Sequence, residues 1–117
     1  METISLKKLF NNYENFLDKE VKVNGWIRTN RDSKTFGFIV LSDGTIFSTL
    51  QIVYDESLSN FKEVAKYNVG CSLNVIGKIV HTPDAKQKFE LHATEISLEG
   101  ACDETYPIQP KNILLNS

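Results

Sequence analysis

The alternation near the start of the chain constrains its fold more than any other feature. Val21, Val23, Gly25 and Ile27 interleave with Lys22, Asn24, Trp26 and Arg28, the period of two that sends one row of side chains to a core and the other to solvent. An amphipathic helix would repeat its apolar positions every three or four residues. Residues 36–41, 50–54, 71–80 and 89–98 each carry a further strand signature, with Ser42-Asp43-Gly44-Thr45 as a turn and the polar run from His81 to Lys88 as a loop. Gly25 inside the first strand predicts a bulge or a sharp bend. Helical spacing occurs twice. Leu6, Leu9, Phe10, Tyr13, Phe16 and Leu17 follow Ser5 as N-cap, and Leu58, Phe61, Val64 and Ala65 fall within residues 57–66.

The resulting order, a leading helix and then β-β-β-α-β-β, predicts an all-β fold: the five-stranded OB-fold, a Greek-key barrel with a helix between its third and fourth strands. An SH3-like barrel would lack that helix. At 117 residues and 41% hydrophobic content there is material for one core. No apolar run approaches the roughly 18 residues that cross a bilayer, and the N-terminus lacks a signal-peptide layout, so a cytoplasmic protein without a membrane partner is expected. Cys71 and Cys102 could in principle pair, although two buried or idle thiols are the default. With no Cys-x-x-Cys and only His81 and His92 as imidazoles, no metal site is expected. Neither histidine accompanies a nucleophile motif, a carboxylate pair or a glycine-rich phosphate loop, so no catalytic residues are assigned.

The polar residues of the strands suggest a surface for unpaired bases. Such surfaces combine aromatic rings for stacking, cations for phosphates and polar groups for base edges. The net charge of −2 argues against indiscriminate binding. Basic residues nevertheless gather at Lys22, Arg28, Arg31 and Lys34, and again at Lys78, Lys86 and Lys88. If the two sets meet in space they line a positive groove; otherwise they are part of a mixed solvated surface. Phe36, Phe38 and Val40 oppose Gly37, Ile39 and Leu41, and both sets cannot be core. A mid-strand glutamine is costly to bury without partners, so Gln51 marks the outward face. Phe38 alone is open between core packing and stacking, and Arg31 and Gln51 nearby favour stacking.

The runs Gly25-Trp26-Ile27-Arg28-Thr29-Asn30-Arg31-Asp32-Ser33-Lys34, Phe36-Gly37-Phe38-Ile39, Leu50-Gln51-Ile52-Val53-Tyr54-Asp55 and Thr82-Pro83-Asp84-Ala85-Lys86-Gln87 resemble the N-terminal anticodon-binding domain of bacterial-type asparaginyl-tRNA synthetases, class IIb enzymes. The resemblance spans about residues 5 to 111. It implies an OB-fold domain over 1–105 and, from Tyr106-Pro107-Ile108 onward, the start of a hinge (106–117) toward a catalytic domain. The chain departs from the family after Lys111, and the class II catalytic motifs are absent. A fragment or standalone homologue that does not itself aminoacylate is therefore expected. ATP and Mg would belong to the absent catalytic domain, and no cofactor to this one. The implied partner is the anticodon loop of tRNA-Asn, with the full-length protein a homodimer.

Carried over position by position, the resemblance makes Arg31, Phe38 and Gln51 the readers of the central uridine of a GUU anticodon. Glu90 becomes the acid facing the first base, although a solvated strand residue is the plainer reading of that position. Arg28 joins the binding surface, and Pro83, Lys86 and Gln87 are candidates for the third base. Two other classes of function stay open: a general single-strand-binding module, or a protein-interaction module on the same barrel.

Overall fold

In the computed structural model, which describes residues 1–99, the alternation of the first strand is obeyed. β1 (Glu20–Asp32) buries Val21, Val23, Gly25 and Ile27 and turns their neighbours outward. It is followed by β2 (Phe36–Ser42) and β3 (Leu50–Asp55). A short helix, Phe61–Ala65, separates these from β4 (Ser72–His81) and β5 (Phe89–Leu98). The strands close into a barrel in the order β1-β2-β3-β5-β4. Every pairing is antiparallel except β3 with β5, where Ile52 faces Leu91 and Val53 faces His92. The long β1 pairs with β4 through its first half and with β2 through its second, which lets five strands close.

The interior holds Val23, Ile27, Ile39, Leu41, Leu50, Ile52, Leu73, Val75, Ile79 and Leu91, all withdrawn from solvent. Each such side chain is worth about 1.5–3 kcal/mol when fully buried. Phe89 extends the core toward the N-terminus, stacked on Tyr13 and edge-on to Phe10. The leading helical segment is divided into α1 (Leu6–Asn11) and α2 (Tyr13–Phe16) where one helix was expected. Asn12 leaves helical dihedrals at φ −134°, and its side chain donates to the Lys8 carbonyl at 2.9 Å, a local bond that competes with helix continuation. Ser5 is the N-cap, accepting from the Lys8 N–H at 3.1 Å. The later helix starts at Phe61, because the Asp55 carboxylate accepts from the Ser57 N–H and winds the preceding residues into turns.

The bulge falls at Arg28, between the pairs Ile27–Leu41 and Thr29–Val40. Gly25 has a different role: a Cβ there would collide with the Ser42 carbonyl oxygen, so glycine permits the close approach of β1 and β2. Cys71 is buried, as one side of the expectation had it, but it is not a free thiol. Cys102 and the expected hinge from Tyr106 lie outside the described residues.

Candidate nucleic-acid interface

Three strands set the floor of the site by register. Arg31 on β1 faces Phe38 on β2, and one step along Thr29 faces Val40, which in turn faces Gln51 on β3. Directly opposed residues share a face, and so do residues two apart on one strand, so all five point outward. Ile39 and Leu41 take the inward positions and are fully buried, whereas Phe38 is 37% exposed. The two sides of β2 are thereby assigned, with Phe38 on the outer one. Phe36 lies beside it, 41% exposed, with ring centroids 5.4 Å apart in an edge-on arrangement.

Asn30 holds this part of β1 in place from below. Its Oδ1 accepts from the Tyr54 hydroxyl at 2.8 Å, and its Nδ2 donates to the carbonyls of Val64 and Tyr67 at 2.9 and 3.1 Å. Burial pushes the Tyr54 phenol up to about 12, with the charge of Asp32 adding and the Asn30 contact opposing, so it stays a neutral donor at physiological pH. With Asn30 anchored inward, the strand's alternation turns Thr29 and Arg31 out.

Two depressions run together over this face. One, of about 450 Å³, is lined by Thr29, Arg31, Phe38, Val40 and Gln51. The other, of about 260 Å³, is lined by Val40, Gln51, Lys86, Gln87 and Glu90 among others. Val40 and Gln51 border both, so they form one groove with Arg31 toward one end and Lys86 toward the other. One residue of each basic segment, Arg31 and Lys86, thus borders the groove, and Lys22, Lys34, Lys78 and Lys88 do not line it. Gln51 Nε2 donates to Glu90 Oε1 at 3.1 Å across the β3–β5 seam, and His92 Nε2 lies 2.6 Å from Glu90 Oε2. Gln87 is a strut: its Nε2 donates to the Thr49 carbonyl at 2.8 Å and its Oε1 accepts from the Gln51 N–H at 3.4 Å.

Of the eight residues singled out in the sequence, Arg31, Phe38, Gln51, Glu90, Lys86 and Gln87 line this groove. Arg28, the bulged residue, opens instead onto a separate depression with Ser42 and residues 44–48. Pro83 sits on the rim loop, where its carbonyl accepts from Lys88 Nζ at 3.1 Å. Phe36, Thr29, Val40 and His92 belong to this face or border it and were not assigned to the site from the sequence. The first three were accessible from the period of two once Phe38 and Arg31 were placed outward, but the His92 contact depends on side-chain geometry. Among the described residues no group of three or more His, Cys, Asp or Glu side chains is placed to hold a metal.

Comparison with known proteins agrees with the barrel. The tRNA anti-codon family, described as an OB-fold nucleic acid binding domain, matches residues 21–99. The chain is 48% identical over 109 residues to the asparagine–tRNA ligase of Clostridium botulinum, a match covering 93% of this chain. It is 52% identical over 112 residues to that of Acetivibrio thermocellus, with 95% of this chain covered. It spans 24% of the length of either relative. Among solved structures, asparaginyl-tRNA synthetase from Pyrococcus horikoshii complexed with asparaginyl-adenylate superposes with a TM-score of 0.74 at 22% identity, over 92% of this chain and 24% of that one. An OBody bound to hen egg-white lysozyme superposes at 0.65 with 18% identity, over 75% and 88%. At these identities the two structures show the fold alone.

Proposed function

The chain belongs to the tRNA anti-codon family of OB-fold nucleic acid binding domains, and from that premise we propose that its groove reads the GUU anticodon of tRNA-Asn. The observation that carries the proposal is the placement of a ring, a guanidinium, an amide and a carboxylate along one groove. Uracil in the first depression would stack on Phe38, give its ring N–H to the Gln51 carbonyl and accept from Arg31 at an exocyclic oxygen. Guanine in the second would direct its N1 and N2 donors at Glu90, a pairing no other base offers. A wrong base leaves one of these groups desolvated and unpaired, which is where selectivity would come from.

The homologous ligases are about four times longer than this chain, and the proposal assigns it their recognition step. Binding energy gathered at the anticodon would position a distant acceptor end for reaction elsewhere in such an enzyme. The test is titration of anticodon stem-loops. Gln51→Ala should weaken a GUU loop more than one whose central base is changed, which has already lost the matching edge and loses only the contact to Glu90. Lys86→Ala, acting through phosphate, should weaken both alike and lower the salt slope by about 1. Equal losses on both loops for Gln51→Ala would remove base reading and leave a general single-strand module; no RNA affinity would leave a protein-binding one.

A further inference from the structure

Glu90 is held from both sides. Gln51 donates to Oε1 and His92 Nε2 reaches Oε2 at 2.6 Å. Glu90 and His92 are two residues apart on β5 and share a face, with the imidazole the outer of the two, 46% exposed against 21%. The register neighbours of His92 are Val53 on β3 and Lys78 on β4. The charged groups about the imidazole are therefore Glu90 on its own strand, Lys78 across β4, and Asp55 at the end of β3. Asp55 is held below its ordinary carboxylate range, first by hydrogen bonds from Ser57 and in smaller part by the charge of His92.

A carboxylate has about four lone-pair sites, so two donors leave two for a ligand. A carboxylate free to rotate about its last bonds would satisfy any base that shows a single donor, adenine's amino group included. Pinned at both oxygens, it presents its remaining acceptors in one fixed plane. That suits guanine, whose N1–H and N2–H point the same way. We infer that His92 is a positioning residue for Glu90, donating to Oε2 and so setting the preference for guanine over adenine at the base Glu90 faces. The inference rests on the anticodon reading above and adds a residue to it. Nε2 carries a proton in the imidazolium and in one of the two neutral tautomers, so the clamp persists when the ring loses its charge. The charged form donates the stronger bond.

Stem-loops with GUU, AUU and GCU anticodons, titrated against the wild-type chain, His92→Ala and His92→Gln, test this. His92→Ala should lower the GUU-over-AUU ratio about tenfold, as expected for a lost hydrogen bond to a charged group, and leave GUU over GCU unchanged. His92→Gln, whose amide can donate to the same oxygen, should recover most of the first ratio. An unchanged ratio in His92→Ala, an equal fall in both ratios, or a glutamine variant no better than alanine would overturn the role of His92. A wild-type chain with no preference among the three loops would overturn the anticodon reading instead.

Discussion

The two halves of β1 obey different rules. From Glu20 to Ile27 every second residue is buried, and the identity of each inward side chain is dictated by the core. From Arg28 to Asp32 no residue is buried, and Thr29 and Arg31 face the groove. The bulge at Arg28 separates the halves. Where the interior ceases to choose the residue, a ligand can. The same division recurs on β2, with Ile39 and Leu41 inward and Phe36 and Phe38 outward, but there it runs across the strand instead of along it.

Adjacent residues on either side of the bulge provide the largest contrast. Ile27→Ala should cost about 2–5 kcal/mol of stability in urea denaturation, the range for emptying a buried aliphatic site. Arg28→Ala should stay within about 0.5 kcal/mol. Equal losses would mean that the bulge does not divide the strand. Phe38→Ala should leave the circular dichroism spectrum intact and cost about 1–3 kcal/mol in binding an anticodon stem-loop, as for a lost base stack. Unfolding of that variant would move the ring into the core and erase the distinction across β2.

The smallest effect concerns the far end of β2. Burial pushes the Asp43 carboxyl up, but hydrogen bonds from the Thr45 hydroxyl, the Leu6 N–H and the Thr45 N–H outweigh it and hold the group below its ordinary value. A carboxyl lowered by folding contributes stability that is present above its unfolded value, about 3.9, and is lost as pH falls through the folded one. Urea midpoints should therefore decline on acidification below about pH 4. In Asp43→Asn that part of the decline should vanish, with little change in RNA binding at neutral pH. An identical acid slope in the variant would mean that Asp43 does not tie α1 to the barrel.

The strands were legible because burial leaves a period that survives in composition, and the ends of β3 and β5 fall within a residue of expectation. The helices were less so. Asn12 and Asp55 redirect the backbone through their own short side chains, which an apolar repeat does not register. Gln51 could be placed outward on desolvation grounds alone. Gln87 could not be read as a strut, because its partners are backbone groups 36 and 38 residues away. His92 was set aside as a catalytic residue, and its contact with Glu90 follows from two side chains meeting on one face of β5.

The parallel seam between β3 and β5 is the barrel's shortest pairing, two residue pairs long, and is extended by the side chain of Gln87. Local opening starts where the fewest contacts must break, so amide exchange at this seam should lead that of the β1–β4 pairing. The groove straddles the same line, with Gln51 on one bank and Glu90 on the other. An occupant touching both is a crosslink over the weakest closure in the fold. By linkage, whatever binds there also slows the barrel's breathing, and a looser seam weakens the grip.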